Sequence, residues 1–124
     1  VKKIKFRAWN DISKEMLYHG KDIQGLIWWN EFGEIQSLAK AELMQSTGLK
    51  DKNGKEIYEG DILAAPHTYN IEIIYRNGSF LMKFFDDIGE KCEYHLNKEL
   101  IEQDDLEIIG NKYDNPELEE MIGG

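Results

Sequence analysis

The sequence predicts a mainly β protein: a small N-terminal hairpin region followed by a β-barrel or roll, with little helix. Three observations carry this. Apolar residues recur at period two, glycine-centred reversals punctuate the chain, and no long segment sustains a helical period.

In "KKIKFRAW", Ile4, Phe6 and Ala8 alternate with Lys3, Lys5, Arg7 and Trp9, so apolar side chains take one face of a strand and cations the other. The turn-rich "NDISKE" reverses the chain into "MLYHG", which makes a first hairpin. In "DIQGLIWWNEFGEIQSL", Ile23, Leu26, Ile27 and Ile35 also fit a helical face. Gly25, Gly33 and the adjacent Trp28 and Trp29 favour two strands meeting near Asn30 to Gly33. "SLAKAELMQS" reads as a short helix or as a connector into a strand at Glu42 to Thr47. The boundary between subdomains is expected near Ala39. This gives an N-terminal β-rich subdomain over 1–39 and a barrel domain over 40–124 that ends in a short helical turn.

"TGLKDKNGKEIYEGDIL" is the most orderly stretch, and turn chemistry accounts for it. Asn53-Gly54 is the pair best able to take positive φ, Ile57 and Tyr58 return as a strand, and Gly60 turns the chain again before Ile62 and Leu63. Spaced turns joining short strands build a small barrel. "NIEIIYRNGSFLMKFFDD" is the clearest hairpin. Ile71, Ile73 and Tyr75 share one face, Arg76-Asn77-Gly78-Ser79 turns, and Phe80, Met82 and Phe84 share a face of the return. "EKCEYHL" pairs next through Cys92, Tyr94 and Leu96, and Leu106 to Ile109 forms a last strand ended by Gly110. In "DNPELEEMI", Asn115 is placed to cap a helix with Pro116 at its first position.

A chain of 124 residues, 41% hydrophobic and 31% charged, can bury a core without staples. No apolar run approaches the ~20 residues of a membrane span. "VKKIKFR" runs into Trp9, Asn10 and Asp11 and does not read as a secretory signal, and one cysteine allows no internal disulfide, so a cytoplasmic protein is expected. Net charge is -9, and all of it is C-terminal. Val1 to Ile62 carries ten Lys plus Arg against ten Asp plus Glu, whereas Leu63 to Gly124 carries five against fourteen. That field disfavours nucleic acid as a partner, although a local basic strand can still sit on an acidic protein.

Chemistry-bearing residues are few. Cys92 and His95, at an offset of three along a strand, point to opposite faces, and no metal or other cofactor is assigned. Ser37, Ser46 and Ser79 lie in no nucleophile elbow. Asp86/Asp87 and Asp104/Asp105 lack calcium-loop spacing and read as solvated loops. "GLKDKNG" lacks the phosphate-loop pattern, so no catalytic residue is assigned. A binding face is conceivable at Lys3, Lys5, Arg7 and Trp9, where phosphate contact meets aromatic stacking; the same lysines also suit an edge strand guarded against pairing. Trp28 and Trp29 face opposite ways in a strand, which offers either a partner anchor or two-sided burial.

Three segments, "IKFRAWN", "LMQSTGLKDKNGKEIYEGDIL" and "EIIGNKYDNPELEEM", make the chain resemble the YopX family of phage and prophage proteins from Lys3 to about Met121. The resemblance implies a mostly β protein whose second part is an SH3-type barrel, together with a phage or prophage origin and self-association as a homo-oligomer. It brings no reaction and no catalytic residues. The function expected is a non-enzymatic binding or regulatory module acting through a host or phage protein in the bacterial cytoplasm, with no membrane partner. Two alternatives stand beside it: nucleic-acid binding through the basic N-terminal strand, and an acidic C-terminal half that imitates nucleic acid for a host protein.

Overall fold

A computed structural model describes residues 5–11, 14–18, 27–29, 35–37, 42–66 and 69–122, with 27–29, 35–37 and 120–122 as backbone. The protein is mainly β, and the chain divides into two compact units, Val1–Ser46 and Thr47–Gly124. The boundary expected near Ala39 lies outside the described residues.

The first unit holds β1 (Phe6–Asn10), β2 (Glu15–Tyr18), β3 (Ile27–Trp29), β4 (Ile35–Ser37) and the start of β5 (Glu42–Lys50). The expected first hairpin forms, with Ala8 opposite Leu17. Lys14 closes its turn at φ 58 by donating its amide to the Asn10 carbonyl at 2.8 Å. β5 pairs antiparallel on the other side of β1, which makes β1 a central strand. Ala8, Trp9 and Met44 are buried here. β3 and β4 pair as the two strands read from "GLIWWNEFGEIQSL", with Trp29 opposite Ile35. Of the two readings of "SLAKAELMQS", the strand is the one found over Glu42–Lys50; residues 38–41 are outside the described set.

In the second unit β5 continues and β6 (Glu56–Tyr58) pairs with it. β7 (Asp61–Ala64), β8 (Ile71–Arg76), β9 (Ser79–Phe85), β10 (Lys91–His95) and β11 (Glu107–Asn111) form a curled antiparallel sheet in the order β10-β9-β8-β7-β11. The β8–β9 turn is the two-residue reversal expected, with Asn77 at φ 52 and Gly78 at φ 81. Nothing crowds the space a Cβ would fill at Gly78, so its backbone angle alone calls for glycine.

The Asn53-Gly54 turn departs from expectation, because only Gly54 takes positive φ. Asp51 is the reason. Its Oδ1 accepts the amides of Asn53 and Lys55 at 2.9 Å each, and its Oδ2 accepts the Ile108 amide at 3.0 Å, so one buried carboxylate both shapes the turn and fastens β11 to it. The same local device recurs at Asp86, whose Oδ1 accepts the Ile88 and Glu90 amides at 3.1 and 2.8 Å. The turn amides of the Lys50 to Gly60 stretch are thus engaged within the chain, those of Asn53 and Lys55 by the Asp51 carboxylate and that of Gly54 by the Asp51 carbonyl.

Two helices complete the unit: α1 (Lys98–Gln103) and α2 (Pro116–Ile122). α1 is not expected from the sequence. The Asn97 side chain caps it, accepting the Leu100 amide at 2.8 Å, and the helix carries the chain from one sheet edge to the other while sinking Ile101 into the core. That core gathers Ile57, Leu63, Ile71, Ile73, Met82, Ile101 and Leu106. On the opposite sheet face, buried Glu72 lies 3.4 Å from Lys83 Nζ, and Arg76 and Lys91 reach Glu93 at 2.6 and 2.8 Å. The Lys91 hydrogen bond holds the Glu93 carboxyl below its usual range against partial desolvation, and Arg76 adds to the effect. Burial alone would lower the Lys112 ammonium, but Tyr113, Glu72 and Glu119 outweigh it and hold it above its usual range.

Gly110 does not end the last strand as expected. It lies within β11, at a register shift between Ile108 and itself. Its need for glycine is spatial: a Cβ would strike the Asn115 side chain and come within 2.9 Å of Leu118 Cδ1. α2 begins at Pro116 with Asn115 before it as expected, but the Asn115 Oδ1, placed to cap the helix, instead turns back to accept the Asn111 amide at 3.2 Å. Gly110→Ala is therefore expected to displace α2 and cost about 1–3 kcal/mol. Urea unfolding checks it; an unchanged midpoint would mean that Asn115 and Leu118 yield freely.

Candidate functional site

Alternation along β8, β9 and β10 sets Ile73, Met82 and Tyr94 in one cross-strand row and Phe84 and Cys92 in the next, all on the core face of the sheet. The core fills one end of this face. At the other end the rows run out from under cover, and a groove of about 270 Å³ opens between the sheet and α1. Its walls are Tyr69, Ile71, Phe84, Tyr94, Leu100 and Asp104, over a floor of buried Met82 and Leu106.

The aromatic side chains form a connected run. Tyr69 stacks on Phe84 with centroids 5.1 Å apart and 13° between planes, and Phe84 meets Tyr94 at 5.7 Å and 37°. Tyr94 is 55% exposed and Tyr69 37%, so large aromatic rings face solvent beside the cleft. Single exposed apolar residues are ordinary on a protein surface, whereas these rings form a contiguous wall.

The rim is acidic. Asp104 is the C-cap of α1, and Asp87 hydrogen-bonds the Tyr69 side chain. Burial, then the charges of Asp87 and Asp86, push the Tyr69 phenol above its usual range and keep it protonated. The Cys92 thiol is raised in the same way, by burial first and then by Asp86 and Glu90, which makes it a poor nucleophile. The groove thus combines apolar area, a phenol and negative charge.

A larger hollow of about 540 Å³ lies by Lys50, Asp51, Lys52, Lys98, Glu102 and Asp105. Several of its charges are engaged. Asp51 is engaged by three amides, Lys98 lies 3.8 Å from Glu102, and Lys52 lies 3.5 Å from Glu107.

The residues singled out from sequence are not brought together as one exposed row. Lys5 is exposed, Arg7 and Trp9 are only 2% and 6% exposed, and Lys3 lies outside the described residues. Arg7 instead donates to the Tyr18 hydroxyl at 3.5 Å, its guanidinium 6.0 Å from that ring's centroid. Trp28 and Trp29 sit in β3 opposite Gln36 and Ile35, and their side chains lie outside the described set, as do His19 and His67. Among the described residues no three His, Cys, Asp or Glu side chains cluster to hold a metal, and no helix is long and apolar enough to cross a membrane. Asp61 lines neither hollow and accepts the Tyr58 amide at 2.7 Å. The groove itself was missed, although the alternation of "FLMKFF" against "KCEYH" already places Phe84 and Tyr94 on one face.

The family model described as YopX protein matches residues 5–120. The chain belongs to the YopX family. A solved member of its structural neighbourhood, the crystal structure of protein EF1440 from Enterococcus faecalis, is 32% identical and superposes with a TM-score of 0.63, covering 95% of this chain and 99% of that one. No curated protein matches the chain. In this YopX chain the groove residues, Tyr69 to Leu106, fall wholly within the matched span.

Proposed function

We propose that this YopX-family chain is a non-enzymatic binding module of phage or prophage origin, and that its groove holds apolar side chains of a partner protein. The observation that carries the reading is the run of Tyr69, Phe84 and Tyr94, exposed beside a cleft sized for one or two side chains. The curled sheet with short connections supports reading the second unit as an SH3-type adaptor barrel. The single cysteine supports the bacterial cytoplasm as its compartment.

The test is selection of a displayed peptide library on the full chain, repeated on Tyr94→Ala. Because Tyr94 is largely exposed, the substitution should leave the melting temperature within a few degrees while weakening selected peptides about tenfold. Peptides that bind both chains alike, or no enrichment at all, would defeat the reading.

A further inference from the structure

The groove borders β10, and among the described residues β10 is an edge strand of the five-stranded sheet. The phase of its ladder is fixed at both ends. Leu96 donates its amide to the Phe80 carbonyl at 3.0 Å, and Asp86 donates to the Glu90 carbonyl at 3.0 Å. In an antiparallel pair, bonded and non-bonded residues alternate, so Cys92 and Tyr94 share the bonded phase with Leu96 and turn toward β9. The backbone groups of Lys91 and Glu93, and the amide of His95, point away from the sheet. The open edge stops there, because the His95 carbonyl already accepts Asn97 Nδ2 at 3.3 Å.

From this edge, and resting on the binding reading above, we infer that the partner binds by strand addition: an extended segment of another protein pairs antiparallel with β10. The residue opposite Glu93 exchanges two backbone hydrogen bonds with it. Its two neighbours then fall on the groove face, one opposite Tyr94 and the other opposite Cys92. The first meets the aromatic wall and is apolar. The second lies beside the β9–β10 turn, where Asp86 and Glu90 form the next row in the same alternation phase as Phe84 and Cys92, and is lysine or arginine.

Read along the partner, the motif is apolar, any residue, cation. Charge complementarity fixes the class of occupant. Residues 63–124 carry five cationic against fourteen acidic side chains, so a cationic strand is drawn to this edge, whereas a second copy of a chain of net charge -9 is repelled.

The probe is the strongest binder from the library selection, resynthesised with one backbone N-methyl group at a time and titrated against the full chain. N-methylation at the residue opposite Glu93 is expected to weaken binding at least tenfold, and at its two neighbours less than threefold. Amide exchange at Lys91 and Glu93 should slow at least tenfold on binding. Glu90→Gln should weaken the peptide about threefold, because Glu90 is exposed and only its main chain closes the β9–β10 turn.

A selected peptide that depends on Tyr94 but gives a flat N-methyl scan, lacks the cation or binds as a helix overturns strand addition and leaves the binding module standing. Protection of Lys91 and Glu93 that rises with protein concentration in the absence of peptide assigns the edge to a second copy and also overturns it. Absence of any peptide dependent on Tyr94 overturns both.

Discussion

Asp51→Ala is expected to cost about 3 kcal/mol or more and to lower the melting temperature by about 12–24 °C. The carboxylate is 6% exposed, and both of its oxygens are engaged, Oδ1 by the amides of Asn53 and Lys55 and Oδ2 by that of Ile108. Hydrogen bonds to a charged acceptor contribute more than neutral ones, and removing this acceptor strands three donors at once. The Ile108 bond also spans 57 residues of sequence, so its loss loosens β11 as well as the turn.

Asp86→Ala is the internal control. It deletes the same two turn bonds from a hairpin end whose neighbours face water, and should cost only about 1 kcal/mol because solvent replaces the lost acceptor. Asp51→Asn should fall between, since an amide group facing the Ile108 N–H sets donor against donor. Calorimetry on the three variants decides the point. Equal losses at Asp51 and Asp86 would mean that burial and the bond to Ile108 add nothing.

Local chemistry was readable wherever neighbours in sequence are also partners in space. Asn77-Gly78 between alternating runs has one economical geometry, and the β8–β9 register follows from it. Asn53-Gly54 carries the same two letters but not the same turn, because an aspartate stands two residues before Asn53 and captures its amide. The spacing Asp-x-x-Gly, present at Asp51 and again at Asp86, is the signal that separates the two cases. Its long-range half, the bond to Ile108, has no local trace. Alternation likewise assigns Arg7 and Ala8 to opposite faces of β1, but it cannot show that the side chains on both faces of this strand are buried. The groove required two hairpins to be set side by side, and its acidic rim was hidden because Asp104 reads as a loop residue until α1 is known to end there.

α1 itself is fastened separately from the sheet. α1 has six residues, too few to be stable alone, so a composition search passes over "NKELIEQ". It is held by the Asn97 cap, by Ile101, which is 2% exposed in the core, and by Leu100, which packs against that core. Ile101→Ala should therefore cost about 2–5 kcal/mol through the cavity it leaves. The loss should also be distributed unevenly. The Leu100 and Asp104 amides, held by Asn97 Oδ1 and by the Leu100 carbonyl, should exchange far faster than amides of the β8–β9 hairpin, because the sheet keeps its ladder when the helix lifts. Since Leu100 and Asp104 form one wall of the groove, peptide binding should fall even at temperatures where the sheet remains folded. If α1 and sheet amides instead lose protection together in Ile101→Ala, the helix is an inseparable part of the fold rather than a separately fastened wall of the site.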